Sequence, residues 1–261
     1  MNTLKKNQYK NELHQIFLKS AEILKGESGR KLISSVKKDI KVQGDLLSNN
    51  NILYGLKSIS NYPILSEETG WQDVELHNKK KGKYWIVDPL DGTYNYYRQI
   101  PFYGMCIALW EDDRPILGSY FDIPGNKFYY GEIGGESNVN DETIVVSNID
   151  ELAQAVLSTG FPSKLDLSSE MGKNYLEQMK IFKKVRMLGS AAASLSFLAE
   201  GKLDVHFEKN TMIWDVASGI ALVLASGGIV QYKFIENSDR LNILACNKML
   251  LPKLKCIIDI L

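Results

Sequence analysis

Cysteine is scarce in this chain. Cys106, Cys246 and Cys256 are odd in number, and their spacing matches no metal-ligand pattern or disulfide framework. Reduced thiols in a cytosolic protein are the expectation, and no Cys-His pairing points to cysteine nucleophilic catalysis. Histidine is equally rare. His14, His77 and His206 stand alone, without a His-x-x-x-His or Glu-x-x-His cluster, so each reads as a surface or satisfied structural histidine rather than a zinc ligand. Net charge is missing too: 31 Lys and Arg balance 31 Asp and Glu. No broad attraction to nucleic acid or to an anionic membrane follows. Long apolar runs are also absent. The longest, Ile220 to Ile229, is broken by Ser226-Gly227-Gly228 and is too short to span a bilayer. The start, Met1 to Asn7, is polar and lacks the apolar core of a secretion signal. A cytoplasmic protein with neither a membrane nor a nucleic-acid partner is expected.

What is present suits a globular enzyme. With 261 residues, 44% apolar and 24% charged, the chain can form one domain of two lobes sharing a core. The lobes are expected at 1–145 and 146–261. Leu13, Ile16, Phe17, Ala21 and Leu24 form a helical stripe, stopped or bent at Gly26 and Gly29. Lys31 to Asp45 reads as a short helix or a strand, with a turn at Gly44-Asp45. Leu46 to Ile59 reads as a helix capped by Ser48 or an asparagine at 49–51. Ile64-Leu65 is a very short strand running into Ser66-Glu67-Glu68. Trp71 to Lys83 is a polar loop, and Lys79-Lys80-Lys81 is either a solvated tip or a rim that attracts a phosphorylated substrate. Between Tyr103 and Tyr130, short strands and tight turns predict an antiparallel meander, followed by a Gly- and Asn-rich loop over 131–140. Beyond it, strands at Ala155 to Thr159, Leu203 to Phe207, Ile229 to Phe234 and Leu241 to Cys246 alternate with helices. These helices are expected at Ser168 to Phe182, after Gly189-Ser190, from Trp214 to Ala225, and from Lys248 to Ile260.

One stretch organises the rest: Trp85-Ile86-Val87-Asp88-Pro89-Leu90-Asp91-Gly92-Thr93. A buried strand ends at an aspartate, turns through Pro89, and offers a second aspartate before Gly-Thr. Two carboxylates three residues apart can face one small volume, which suits a hard divalent cation such as Mg²⁺. Gly92 lets backbone N–H groups approach an anion. Two further acidic features lie near strand ends, Glu67-Glu68 and Asp215. Alone, the first reads as solvated glutamates and the second as a helix-start residue favoured by the dipole.

Taken together and in order, Glu-Glu, Asp-Pro-Leu-Asp-Gly-Thr and Trp-Asp-Val-Ala-Ser-Gly resemble the signatures of the inositol monophosphatase family. The likeness runs from about Gly44 to Gly228. It implies an α/β (α+β) layered α/β/α/β/α sandwich, and a Mg²⁺-dependent, lithium-sensitive phosphomonoesterase that is a homodimer. It assigns Glu67, Asp88, Asp91, Asp215 and the Leu90 carbonyl to two metal ions, with a third, weaker site beside them. Glu67, Asp91 and Thr93 become the catalytic group, with Thr93 orienting the attacking water. Gly92, Thr93, Gly189, Ser190, Ala191 and Glu208 become the substrate contacts, Glu208 placed on the loop before Trp214.

There are departures from the family pattern. Its aspartate after a Gly-Asp-x-Val-Thr-like segment falls at Asn51, so a carboxylate supporting the third metal site is expected to be lost. The family's nearby lysine is Lys38 or Lys41. Asn95-Tyr96 and Pro101-Phe102 resemble the inositol and sugar phosphatase branch, which makes a small sugar or polyol phosphate such as inositol 1-phosphate the expected substrate. The alternatives are 3'-phosphoadenosine 5'-phosphate and, in another class, a non-catalytic binding module.

Overall fold

The computed structural model describes residues 3–36, 39–72, 81–161, 166 and 168–254. The chain runs α1 (Thr3–Lys25), β1 (Leu32–Val36), β2 (Asp39–Val42), α2 (Gln43–Ile59), β3 (Ile64–Ser66), β4 (Gly70–Gln72), β5 (Lys83–Asp91) and α3 (Thr93–Arg98). The meander follows as β6 (Gly104–Glu111), β7 (Arg114–Asp122), β8 (Lys127–Glu132), β9 (Ser137–Val139) and β10 (Glu142–Ile144). The remainder is β11 (Val156–Thr159), α4 (Glu170–Met179), β12 (Lys184–Arg186), α5 (Ala191–Ala199), β13 (Val205–Met212), α6 (Ile213–Ala225), β14 (Ile229–Phe234) and β15 (Arg240–Cys246).

Eight strands form the larger sheet, in the order β10-β9-β8-β7-β6-β5-β3-β4, and five the smaller, in the order β12-β11-β13-β15-β14. Side chains of β5 alternate between two cores, as a pleated strand requires. Trp85 and Val87 pack with Leu13, Phe17, Ile52 and Leu56 of α1 and α2. Tyr84 and Ile86 pack with Leu195, Leu198, Val216 and Ile220 of α5 and α6, and with Leu241 and Ile243 of the smaller sheet. That sheet's other face, with Leu157, Val205 and Phe207, is covered by Tyr175 and Met179 of α4. The layers are therefore α/β/α/β/α. Burial on both faces explains why β5 reads as an unbroken apolar run.

Several local expectations change. The segment before α2 is a hairpin, β1 with β2, and it delivers the chain straight into a helix that starts at Gln43. Gly44-Asp45 is thus the first helical turn, not a free turn, and Ser48 and the asparagines lie inside the helix rather than capping it. β4 occupies the start of the expected polar loop, and β9 lies within the Gly- and Asn-rich loop. β13 continues past Phe207 because β15 pairs with it as far as Met212, so Glu208 sits on a strand, opposite Ile243. Lys79, Lys80, Lys38 and Cys256 lie outside the described residues, as does the second part of the expected closing helix, 255–260; its described part is a turn over 248–250 followed by a 3-10 turn at Leu251–Lys253. Among the described residues no helix is long and apolar enough to cross a membrane.

The short α3 is anchored from below. Tyr96, 2% exposed, donates its hydroxyl to the Leu24 carbonyl at the end of α1, 2.6 Å away. Tyr96→Phe leaves that carbonyl without its donor and is expected to cost about 1–3 kcal/mol. Urea denaturation measures it, and a loss below about 0.3 kcal/mol would show that the bond does not hold α3 in place.

Candidate metal centre and substrate cleft

The site depends on an irregularity in β5. Asp88 stands opposite Cys106 and Asp91 opposite Gly104, so β5 places two residues, Pro89 and Leu90, where β6 places one. Proline cannot donate to the ladder, and bulges are where strands tolerate it. The extra residue reverses the alternation between Asp88 and Asp91. Both carboxylates then lie on the α5/α6 side of the sheet.

Each aspartate has its own support. Asp88 accepts from the Leu90 N–H at 2.9 Å. Asp91 accepts from the Ser190 hydroxyl and from the Ala192 N–H at 3.1 Å. Ser190 is also the N-cap of α5, accepting from the Ala193 N–H at 3.0 Å. Asp215, in the first turn of α6, accepts from the Thr211 hydroxyl at 3.2 Å. Glu67 follows β3 and shares a side-chain hydrogen bond with Asp88.

Burial and like charge act on the group together. Asp88 is pushed well above the ordinary carboxylate range by burial first, then by the charges of Glu67, Asp91 and Asp215. Asp215 is raised by burial and then by Asp91 and Glu67. Glu67 is exposed at the mouth of the cleft, yet protein crowds its carboxyl enough to raise its pKa to about 7. Asp91 reaches only about 6, because its Ser190 and backbone donors oppose the burial.

Gly92 has φ +81°, and a Cβ there would stand 2.7 Å from the Phe102 carbonyl, so only glycine fits the turn. Next to it, Thr93 donates toward the Leu90 carbonyl at 3.0 Å and the Asp45 carboxylate at 3.4 Å. Asp45 is buried, accepts from the Val42 N–H at 2.7 Å, and has its pKa raised to about 7, chiefly by burial. The expected loss of a carboxylate at Asn51 is therefore overturned. Asn51 points to α1, donating to the Ser20 hydroxyl at 2.7 Å, and Asp45 is the carboxylate that reaches Thr93. The Gly44-Asp45 pair was visible in the sequence, but only the early start of α2 turns it toward the cleft. Of the two candidate lysines, Lys41 is described and is paired with Glu68.

Asp91, Gly189, Ser190, Ala191, Glu208 and Asp215 line one cavity of about 170 Å³, together with Thr159, Gly160, Ser194 and His206. The Asn95 amide ties this wall to the central turn, donating to the Phe102 and Leu188 carbonyls at 2.8 Å each. Glu208 has its pKa raised to about 7 by burial and by Asp91. His206 is buried, one of the two positions expected for it; its place in the lining of the cleft was not expected.

Among the described residues no three His, Cys, Asp or Glu side chains already converge on one cation-sized point. Asp88, Asp91 and Asp215 each turn a carboxylate oxygen to a protein donor instead. The donor set nonetheless suits a hard divalent cation. It is all oxygen, from Glu67, Asp88, Asp91, Asp215 and the Leu90 carbonyl, and a cation would relieve the like-charge strain.

The raised carboxylates set a pH dependence. Asp45, Glu67 and Asp91 bind protons more tightly folded than unfolded. Their contribution is present at low pH and lost as pH rises from about 4 to about 7. Metal-free protein should melt at a lower temperature near neutrality than near about pH 5. Asp88→Asn should shrink that fall by removing a neighbouring charge. A melting temperature that rises over the same interval, followed by calorimetry, would contradict this electrostatic picture.

Known proteins share both fold and motifs. The profile of the inositol monophosphatase family matches residues 6–249. The Pasteurella multocida Nus factor SuhB is 33% identical over 67% of this chain, and the match spans 64% of that protein. The inositol-1-monophosphatase of Mesorhizobium japonicum is 29% identical, with 84% of each chain covered. The solved inositol monophosphatase of Anabaena (Nostoc) superposes with a TM-score of 0.81 at 26% identity, covering 98% of this chain and 97% of the other. With the layered sandwich, the bulged aspartate pair and the α6 aspartate in place, the chain belongs to the inositol monophosphatase family.

Proposed function

We propose that this protein is a Mg²⁺-dependent phosphomonoesterase acting on a small sugar, polyol or inositol phosphate. The observation that carries the reading is the meeting of Glu67, Asp88, Asp91 and Asp215 beside the Thr93–Asp45 pair, at the mouth of a polar cavity. A phosphate dianion would be repelled by these carboxylates alone. When bound, divalent cations supply positive charge for the phosphate and acidify a water molecule. Glu67, Asp88, Asp91, Asp215 and the Leu90 carbonyl would hold them.

The remaining work falls to the chain's own groups. Thr93 gives its hydroxyl proton to Leu90 or Asp45, which leaves an Oγ1 lone pair free to accept from the attacking water and aim it. Glu67 is the carboxylate that this reading assigns as base toward that water. The Gly92-Thr93 turn offers backbone N–H groups to the phosphate. Gly189, Ser190, Ala191 and Glu208 face the alcohol. The described lining of the cavity is mostly polar, which favours a polyol over 3'-phosphoadenosine 5'-phosphate.

The test is phosphate release from myo-inositol 1-phosphate, fructose 1,6-bisphosphate and 3'-phosphoadenosine 5'-phosphate with and without Mg²⁺. Metal-dependent, lithium-inhibited turnover is expected, highest on the inositol ester. No turnover on a broad ester panel would favour a binding module. Asp91→Asn should abolish turnover in a folded protein, and near-normal activity would sink the metal assignment. Thr93→Ala should lower kcat about 10²–10⁴-fold, with Thr93→Ser recovering most of it.

A further inference from the structure

Tyr120 is a buried polar group that the mechanism above does not use. It lies on β7 opposite Cys106 of β6, and Cys106 lies opposite Asp88 of β5. Residues opposed across antiparallel strands share a face, so the Tyr120 side chain is on the α5/α6 side of the sheet, with the carboxylates. It is 0% exposed. Its ring reaches across Gly104, the residue opposite Asp91: a Cβ there would stand 2.5 Å from Cε2 and 2.7 Å from Cζ of Tyr120. Glycine at 104 leaves the ring this path, and the hydroxyl end arrives beside Asp91.

That hydroxyl has no hydrogen-bond partner among the described residues. Burying a hydroxyl unbonded is costly, and phenylalanine would fill the same space without the cost. Burial first, then the charges of Asp91 and Asp122, holds its pKa well above the ordinary tyrosine value, so at neutral pH it keeps its proton and is a donor. The Ser190 hydroxyl is near enough to act on it but is not aligned to bond with it. Ser190 already gives its proton to Asp91 and accepts from the Ala193 N–H at 3.0 Å. A serine oxygen has two acceptor lone pairs. Ser190 thus has one lone pair left, and Tyr120 has one proton to give.

We propose that Tyr120 is a positioning residue of the metal centre, donating to Ser190 and completing a chain from Tyr120 O–H through Ser190 O–H to the Asp91 carboxylate once Asp91 holds a cation. This rests on the reading of Asp91 as a metal ligand. When Asp91 shares its charge with a cation, its pull on the Ser190 proton weakens. With both lone pairs of Ser190 engaged, its hydroxyl keeps one direction, toward Asp91, and hydrogen bonds linked in this way strengthen one another. In the metal-free protein the same Tyr120 hydroxyl is an unpaid desolvation. A bond made in the loaded state and missing in the empty one shifts the binding equilibrium toward the loaded state.

Tyr120→Phe, which deletes one oxygen atom, tests this by calorimetric titration with Mg²⁺ and by melting of the metal-free protein. The Kd for Mg²⁺ should rise about 3–10-fold, the worth of one hydrogen bond, while the metal-free Tm stays the same or rises. A Kd within about twofold of the unsubstituted protein's overturns the proposal. So does a clear fall in the metal-free Tm, which would mean that the hydroxyl is already bonded without metal. In a Ser190→Ala background Tyr120→Phe should change the Kd no further; a full additional loss overturns the route through Ser190. Phosphate release is not needed for any of these readouts. Protein that binds Mg²⁺ yet cleaves no ester would end the phosphatase reading and leave the Tyr120 comparison to decide this one, whereas protein that binds no divalent cation would overturn both.

Discussion

An extra residue in β5 governs the arrangement of the cleft. In an unbroken strand Asp88 and Asp91 would point to opposite faces, one toward α5 and α6 and the other into the apolar core under α1 and α2. The Pro89-Leu90 bulge brings them to the same side. It also leaves the Leu90 N–H free to hold Asp88 and the Leu90 carbonyl free to receive Thr93. Gly92, which alone tolerates the next turn, starts α3 at Thr93. A few residues thus bring two carboxylates, a carbonyl and a hydroxyl to one end of β5, whose flanks are buried.

Holding like charges together is unfavourable, and the fold offsets it by drawing donors from different layers. The Ser190 hydroxyl and the Ala192 N–H come from the α5 N-terminus, the Val42 N–H from the hairpin, the Thr211 hydroxyl from β13 and the Lys41 ammonium from β2. These partners moderate the strain without removing it, since Asp88, Asp215, Glu67 and Asp45 all remain raised. The residual strain favours either protons or cations. On the proposed reading, a bound cation would displace the protons that burial and like charge favour on Glu67 and Asp45.

Much of the fold, and the turn at the end of β5, could be read from sequence because their residues are local. β5 is a run of apolar residues, and its aspartates, glycine and threonine follow one another directly. Asp215 shows that two readings can hold together: it is a first-turn helix residue and also a member of the acidic group. Asp45 was misread because its role depends on where α2 begins. The asparagines at 49–51 look like better caps, but the β1–β2 hairpin starts the helix at Gln43 and turns Asn51 toward α1. Glu208 was placed on a loop because a strand's continuation past Phe207 is decided by pairing with β15, some 35 residues further along the chain.

The far wall of the cleft was legible only in part: Gly189, Ser190, Ala191 and Glu208 came from the resemblance, whereas Thr159, Gly160, Ser194 and His206 did not. Ser158 and His206 lie 48 residues apart and meet only because β11 and β13 run parallel and in register. Gly160 and Glu208 meet across the same pair of strands. None of these residues forms a motif, and each can change without disturbing the bulge in β5 or the start of α5. On the proposed reading the phosphate would meet a contiguous turn whose geometry tolerates little variation, and the alcohol a wall of side chains brought together only by the folded sheet.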